Sequence, residues 1–162
     1  MPLPALYCLV EIPKGSRNKY QWDDELGGIK LARFLFSSMV YPTDYGFVPE
    51  TLSPKGEALD AMILVSEPTF PGCRIPVRAL GVLRTDDERG RDDKLLCVPL
   101  NDPGWSDMET LADVPEGLRN EIEHFFSIYK EPEGREVTVH GWEDREVALA
   151  LVQESRERYR SE

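Results

Sequence analysis

Short apolar segments separated by turn residues fill the chain from residue 6 to about residue 98, and this rhythm constrains the fold more than any other feature. Such spacing is typical of a β-rich domain. We expect strands at residues 6–10, 20–22, 29–33, 61–65, 77–83 and 94–98. Gly27 and Gly28 predict a hairpin between the second and third of these segments.

A helical pattern replaces this rhythm after Pro99. Pro115 stands where a first helical turn would begin, and Gly134 follows where that helix would end. Between them, apolar residues recur at helical spacing: Leu118, Ile122, Phe125, Phe126 and Tyr129. A second helix is predicted from about residue 143 to residue 159, with an inward face formed by Val147, Leu151 and Tyr159. The pattern favours a small closed β-barrel with two C-terminal helices packed against it, an α+β fold that is mainly β.

Length and charge narrow the class of protein. A chain of 162 residues, 41% of them apolar, is expected to form a single domain over residues 1–162 with a proper core. Asp and Glu number 30 against 19 Lys and Arg, so the formal net charge is −11. This sign opposes general binding to nucleic acid or to an anionic membrane, and we expect neither as a partner.

The sequence also predicts a cytoplasmic location. No segment approaches the length of a membrane-spanning apolar run, and the first ten residues lack the basic start of a signal peptide. Cys8, Cys73 and Cys97 are odd in number and widely spaced, which favours reduced packing thiols over disulfides or a zinc site. With His124 and His140 as the two histidines, a multi-histidine metal centre is not expected.

An acidic hairpin at residues 85–94 places five carboxylates between two apolar strands. Folding of the turn brings them together. One interpretation is a solvated acidic turn. The other is that Asp87 and Asp92, on opposite limbs of the turn, converge on divalent cations, which prefer carboxylate oxygens.

Asp60 lies in the apolar run of residues 58–65, where alternation places it on the same strand face as Met62 and Leu64. On an interior face, an ionised carboxylate costs several kcal/mol unless a metal or another cation partners it. The alternative is an exposed aspartate at the first residue of the strand.

Several cations and phenols stand out in this acidic chain: Lys14, Arg17, Lys19 and Arg33, followed by Tyr41, Tyr45, Tyr129 and Lys130. Guanidinium, ammonium and phenol groups are what proteins use to hold phosphate oxygens. Each residue alone fits an ordinary surface charge or a core phenol. Together with the clustered carboxylates, they indicate a polyanionic substrate held through bridging metal ions.

Four motifs also occur in order along the chain: EIPKGSRNKY at residues 11–20, YPTDYGF at 41–47, the acidic hairpin at 87–94, and HFF at 124–126 followed by Tyr129 and Lys130. In this order they resemble the soluble family I inorganic pyrophosphatases, collinearly from Glu11 to about Arg158. The resemblance implies an OB-like five-stranded barrel and hydrolysis of inorganic diphosphate to two phosphates. It also implies dependence on Mg²⁺, with Mn²⁺ as a substitute, and a cytoplasmic homo-oligomer, commonly a hexamer in bacterial members.

The resemblance further implies roles residue by residue. Positions that hold phosphate oxygens are matched by Lys19, Arg33, Tyr45 and Tyr129, with Tyr41, Lys94 and Lys130 supporting them. Metal-ligand positions are matched by Glu11, Asp60, Asp87 and Asp92. We take Asp92 and Glu57 as the catalytic carboxylates, because attack by water on a phosphoryl group needs a proton acceptor.

The chain departs from the family at the central signature D-x-D-P-x-D, which here reads KGEALD over residues 55–60. Glu57 keeps a carboxylate that is one methylene longer, and Gln21 stands where the family usually has Glu. At Lys55, an ammonium replaces a carboxylate that is a metal ligand in the family. A unit positive charge ~4 Å from a divalent cation is repelled by roughly 8 kcal/mol at an effective dielectric of about 20. Two outcomes are open. Either Lys55 turns to solvent and the metal is held more weakly, or its ammonium takes part of a cation's role and the site holds one metal fewer.

The leading hypothesis is a working metal-dependent inorganic pyrophosphatase with altered metal binding. Lys55, Glu57 and Gln21 keep an alternative open, a non-catalytic relative with the same barrel that binds a phosphorylated ligand or a protein partner. A third hypothesis, an acidic OB-type module for single-stranded nucleic acid, is opposed by the net charge and by the lack of an aromatic stripe interleaved with cations.

Overall fold

The computed structural model describes residues 6–35 and 37–162. Residues 1–5, on which the expectation of no signal peptide partly rests, lie outside the described residues. The described chain forms these elements in order: β1 (Leu6–Ile12), β2 (Asn18–Asp23), β3 (Gly28–Phe34), β4 (Asp44–Val48), β5 (Leu59–Ile63), β6 (Arg74–Asp87), β7 (Gly90–Arg91), β8 (Lys94–Pro99), α1 (Glu116–Ile128), β9 (Thr138–Asp144) and α2 (Arg145–Arg160).

Five of these strands close into a barrel. β1 pairs with β4, β4 with β5, β5 with β8 and β8 with β6, which returns to pair with β1. The β5–β8 pair is parallel and the other barrel pairs are antiparallel. β7 and β9 extend the sheet from β6, and β2 and β3 form a separate hairpin. This closed barrel with two helices confirms the fold class expected from the sequence.

The predicted and observed strands differ in several places: β6 is longer, at Arg74–Asp87, than the predicted 77–83, and β7 was not predicted. The segment predicted at residues 61–65 is displaced to Leu59–Ile63, which places Asp60 second in its strand. β4 was missed because it is short, contains a glycine and directly follows turn residues. β9 was missed because exposed polar residues and Gly141 interrupt its apolar alternation.

The two faces of the barrel strands bury separate apolar cores. On β5, Ala61 and Ile63 belong to the first core, together with Cys8 of β1 and Cys97 of β8. Met62 belongs to the second. The predicted alternation is therefore correct, and it places Asp60 on the strand face of the second core.

Both predicted helices are present. α1 buries Ile122, Phe125 and Phe126 in the second core, as its periodicity predicts. α2 packs on the first core and begins at Arg145 rather than residue 143, because the Asp144 side chain accepts the backbone N–H of Arg145 and caps the helix. In the described ranges, no helix has the length and apolar character needed to cross a membrane.

The inward orientation predicted for Tyr159 is wrong. This side chain is 46% exposed. The buried positions of α2 end at Ser155, so Tyr159 lies beyond the part of the helix that packs on the core.

Candidate active site

A charged cavity of about 190 Å³ opens at the margin of the second core, beside the C-terminal end of α1. Five carboxylates line it: Glu11, Glu57, Asp60, Asp87 and Asp92. Five cationic side chains line it as well: Lys19, Lys55, Arg89, Lys130 and Arg135. The polar lining is completed by Tyr20, Gln21, Tyr41, Tyr45 and Tyr129. The acids predicted as metal ligands therefore meet in one cavity, although they come from strands and turns far apart in sequence.

Glu11 reaches the cavity through a bulge in β1. The pairing of β1 with β4 skips one residue between Val10 and Ile12, so Glu11 leaves the regular ladder. Its Oε2 accepts a hydrogen bond of 2.9 Å from the backbone N–H of Trp22. Burial raises the pKa of Glu11 to about 7 against the opposing effect of this hydrogen bond, and the Asp60 carboxylate adds to the rise.

Lys94 lies beneath the cavity, between two of the acids. Its Nζ is 2.9 Å from Asp92 Oδ2 and 3.3 Å from Asp60 Oδ2, and only 1% of the side chain is exposed. Parallel pairing of β5 with β8 sets Asp60 opposite Lys94. The Tyr45 hydroxyl accepts a hydrogen bond of 2.9 Å from Lys94 Nζ and donates one of 2.8 Å to Asp60 Oδ2. Lys94 therefore holds three side chains of the site in one network.

The two carboxylates on Lys94 differ in their electrostatic state. Burial raises the pKa of Asp60 to about 6, although Lys94 lowers it, and the adjacent Asp92 adds to the rise. Burial also acts to raise the pKa of Asp92, but Lys94 and a hydrogen bond with Asp60 hold it well below its usual range. Burial acts to lower the pKa of Lys94, but Tyr129 and the two carboxylates raise it well above its usual range. Lys94 and Asp92 are therefore an ion pair at neutral pH, while the charge of Asp60 is only partly compensated.

The acidic hairpin directs two of its five carboxylates into the cavity. Asp87 is 6% exposed, and its Oδ2 lies 3.4 Å from Lys130 Nζ. Its Oδ1 accepts a hydrogen bond of 2.8 Å from the backbone N–H of Arg89. The other three acids of the hairpin pair elsewhere: Asp86 with His140, Glu88 with Arg135, and Asp93 with Arg84 and Arg91. A solvated acidic turn thus describes neither Asp87 nor Asp92.

Another part of the site has an excess of positive charge. Burial lowers the pKa of Lys19 to about 8, and repulsion from Arg33 and Lys130 adds to the effect. Burial lowers the pKa of Lys130 as well, with repulsion from Arg135 next. The predicted phosphate-binding residue Arg33 pairs with Glu133 at 2.8 Å and is not among the residues that line the cavity. Desolvated cations that repel one another favour the binding of an anion.

Aromatic packing positions the predicted phenols. The ring centroid of Tyr41 lies 4.8 Å from that of Phe125, which in turn lies 5.3 Å from that of Tyr129. The Tyr45 ring lies 5.6 Å from the Phe126 ring. Burial raises the pKa of Tyr129 to about 12, so its hydroxyl keeps its proton at neutral pH and can donate a hydrogen bond. The HFF motif of α1 is therefore the support for the tyrosines.

Lys55 and Glu57 lie on the loop between β4 and β5. Backbone hydrogen bonds from Ser53 N to Glu57 O (2.6 Å) and from Gly56 N to Ser53 O (2.9 Å) close this loop. Gly56 has φ +81°, a left-handed conformation that favours glycine. The Lys55 side chain is 13% exposed, and its Nζ lies 3.7 Å from Asp87 Oδ1. Lys55 therefore faces the cavity and not solvent.

Two cations of the lining were missed by sequence reasoning. Arg89 lies at the tip of the acidic hairpin and forms a salt bridge with Glu57. Arg135 follows α1 and forms a salt bridge with Glu88. Arg89 could have been noticed as a cation among clustered acids, but no local pattern marks Arg135. Conversely, Lys14 and Arg17 are exposed and lie outside the lining.

Comparison with known proteins agrees with this architecture. Residues 8–160 match the family described as inorganic pyrophosphatase. The chain is 52% identical over 151 residues to an inorganic pyrophosphatase of Methanosarcina mazei, covering 93% of this chain and 89% of that protein. It is 50% identical to one of Streptomyces coelicolor, covering 94% of each. The crystal structure of inorganic pyrophosphatase from Thermus thermophilus superposes with a TM-score of 0.94 at 41% identity, covering 99% of this chain and 94% of that one.

A closed barrel with two helices and a cavity lined by acids, cations and phenols is the architecture that this chain shares with solved inorganic pyrophosphatases. The chain belongs to the inorganic pyrophosphatase family, which confirms the resemblance drawn from the ordered motifs.

Membership implies a divalent metal cofactor, and the donor set fits one. The oxygens of Glu11, Asp60, Asp87 and Asp92 face one cavity, and hard divalent cations prefer such ligands. The raised pKa of Glu11 indicates a buried carboxylate with too little positive charge around it. Among residues 6–35 and 37–162, however, no three acidic, histidine or cysteine side chains form a tight metal cluster, and ammonium groups stand beside Asp60, Asp87 and Asp92.

Proposed function

We propose that this protein hydrolyses inorganic diphosphate to two orthophosphate ions, with Mg²⁺ as the physiological cofactor and Mn²⁺ as a substitute. One observation carries the proposal. The same cavity contains a carboxylate with too little positive charge around it, Glu11, and a lysine with too little negative charge around it, Lys19. A metal complex of diphosphate satisfies both, because it brings cations to the first group and phosphate oxygens to the second.

Phosphate binding is assigned to the positive part of the site. Lys19 and Lys130 line the cavity and supply ammonium donors, and Tyr41, Tyr45 and Tyr129 supply phenols. Arg33, which is not among the lining residues, has a guanidinium that suits two phosphate oxygens at once. Lys94 supports the site from below by fixing Tyr45, Asp60 and Asp92.

Metal binding is assigned to Glu11, Asp60 and Asp92, while Asp87, the fourth ligand predicted from the sequence, already faces the ammonium groups of Lys55 and Lys130. A divalent cation held by these carboxylates would neutralise phosphate oxygens and would make bound water more acidic. Because the carboxylates must be ionised to bind a cation, occupancy of the site releases the proton that burial favours on Glu11.

The two catalytic candidates, Asp92 and Glu57, differ in how well each can accept the proton of the attacking water. Water attacks one phosphorus, the bond from that phosphorus to the bridging oxygen breaks, and the bridging oxygen leaves with the electron pair as part of the second phosphate. Burial acts to raise the pKa of Asp92, but Lys94 holds it well below its usual range. Asp92 is therefore a weak base. Glu57, half-exposed beside Arg89, is the better acceptor for the proton of the attacking water. Asp92 then serves to hold charge and position Lys94.

The setting of the reaction is part of the proposal. We place the protein in the cytoplasm, where biosynthetic reactions release diphosphate, and expect it to assemble as a homo-oligomer, a hexamer by resemblance to bacterial members. The exposed apolar side chains of Phe34, Val40 and Phe70 suit contacts between subunits. Light scattering of the purified protein measures the subunit number.

The test is phosphate release from diphosphate by the purified full chain. Addition of Mg²⁺ should start turnover and a chelator should stop it. ATP and a phosphomonoester serve as control substrates and should be hydrolysed far more slowly. Absence of phosphate release at every Mg²⁺ and Mn²⁺ concentration, with diphosphate still binding in calorimetry, would instead establish the non-catalytic alternative.

A further inference from the structure

Lys55 is the one cation of the lining that the loop between β4 and β5 supplies. Its backbone is fixed by the closed turn from Ser53 to Glu57, with Gly56 in the left-handed conformation that this turn requires. A lysine on a surface loop ordinarily extends its ammonium into water. Here the side chain lies mostly buried over Asp87 instead.

The two oxygens of Asp87 face two different ammonium groups. Oδ1 lies 3.7 Å from Lys55 Nζ, and Oδ2 lies 3.4 Å from Lys130 Nζ. The first distance is too long for a hydrogen bond, so the attraction there is between charges. A divalent cation bound to Oδ1 would sit a few ångströms from Lys55 Nζ and be strongly repelled. The positive charge of Lys55 therefore stands next to Oδ1 of Asp87, where a metal ion would otherwise bind.

The charges of the lining support the same conclusion. With Lys55 present, the lining has equal numbers of acidic and cationic side chains, five of each. Replacing Lys55 by aspartate changes the charge of the lining by two units, which is the charge of one divalent cation.

We infer that the Lys55 ammonium is a built-in substitute for one divalent cation at Asp87, so that this protein binds one metal ion fewer per chain than it would with a carboxylate at position 55. The inference rests on the proposed function for the identity of the reaction, but its content is the number of metal ions. It selects the second of the two outcomes that the sequence leaves open for Lys55.

The test counts Mn²⁺ ions bound to the full chain, with free Mn²⁺ measured by electron paramagnetic resonance. The variants are Lys55→Asp, which removes the charge and adds a ligand, Lys55→Gln, which only removes the charge, and Lys55→Arg, which keeps it. Lys30→Gln is the matched control, because Lys30 is a half-exposed lysine that pairs with Asp23 outside the cavity. Circular dichroism confirms that each variant is folded.

We expect Lys55→Asp to bind one additional Mn²⁺ per chain. Lys55→Gln should bind its weakest Mn²⁺ at least about tenfold more tightly, because a unit charge a few ångströms from a divalent ion changes their interaction by more than the equivalent of a factor of ten. Lys55→Arg and Lys30→Gln should match the wild type. The inference is overturned if Lys55→Asp and Lys55→Gln both bind Mn²⁺ like the wild type, or if Lys55→Arg gains an ion.

Metal counting separates this inference from the proposed function. If the wild type releases no phosphate from diphosphate but Lys55→Asp gains one Mn²⁺, the proposed hydrolase activity is refuted. The inference that Lys55 replaces a metal ion then still stands. If the wild type hydrolyses diphosphate and binds as many Mn²⁺ ions as Lys55→Asp and Lys55→Gln do, the hydrolase activity is supported. The role inferred for Lys55 is then refuted.

Discussion

The ammonium of Lys94 lies 2.9 Å from a carboxylate oxygen of Asp92, and the lysine is almost completely removed from solvent. The same ammonium reaches Asp60 at 3.3 Å and sits 5.1 Å from the ring centroid of Phe126. The candidate active site thus has a cation beneath it that belongs to the barrel itself. Burial acts to lower the pKa of Lys94, but Tyr129 and the two carboxylates raise it well above its usual range, so the lysine is charged at neutral pH in the metal-free protein.

Lys94→Met should destabilise the metal-free protein by about 3 to 5 kcal/mol, the usual cost of leaving a buried carboxylate without its partner. The measurement is chemical denaturation in the presence of a chelator. The double variant Lys94→Met/Asp92→Asn is the control and should recover part of the loss, because it removes the orphaned charge. Equal stabilities of the wild type and Lys94→Met would show that the pair contributes nothing.

Glu11 should make the stability of the metal-free protein depend on pH. Its pKa is about 7 in the folded protein against an ordinary value of 4.5, so the folded state binds this proton more tightly than the unfolded chain. The stabilisation is present below the ordinary value and is lost as the pH rises through the folded value. Relative to Glu11→Gln, the wild type should lose roughly 2 kcal/mol of unfolding free energy between about pH 5 and about pH 8. Parallel pH curves for the two proteins would refute this role of Glu11.

Gly46→Ala should destabilise the protein by at least about 3 kcal/mol, because a Cβ at this position would collide with the backbone carbonyl of Leu9 on the paired strand. The collision falls next to the bulge that directs Glu11 into the cavity, so activity should fall as well. Gly117→Ala is the matched control, since Gly117 is exposed with open space around it and the change should add at most about 1 kcal/mol of stability. Thermal unfolding of both variants measures the difference. A wild-type melting temperature for Gly46→Ala would contradict the close approach of β1 and β4.

Glu57→Gln should lower kcat by roughly 10²-fold or more with little change in KM, because it removes the proposed proton acceptor and keeps the shape of the side chain. Arg89→Gln is the companion variant: it frees Glu57 from its salt bridge and should retain a substantial part of kcat. If Glu57→Gln keeps wild-type kcat while Asp92→Asn loses it, then Asp92 is the acceptor.

The sequence predicts the barrel and one side of the site because those depend on local patterns. Apolar alternation on β5 places Asp60 on the face of Met62, and helical spacing in α1 places Ile122, Phe125 and Phe126 on its buried face. These relationships follow from strand and helix periods alone. They are confirmed by the structure without any knowledge of distant contacts.

Other features depend on contacts between segments far apart in the chain. The orientation of Lys55 depends on a carboxylate from β6, and the salt bridge of Arg135 joins the segment after α1 to the acidic hairpin. Neither is encoded by a local period. β9 was missed for the same reason, since its pairing with β6 and not its own alternation makes it a strand.

Diffraction from crystals grown with Mn²⁺ and a non-hydrolysable diphosphate analogue tests the central claim most directly. The account predicts anomalous peaks among Glu11, Asp60 and Asp92, with the analogue's oxygens on Lys19, Tyr45 and Tyr129 and with Lys55 still directed at Asp87. Manganese and analogue bound in another part of the molecule, with this cavity free of both, would contradict it.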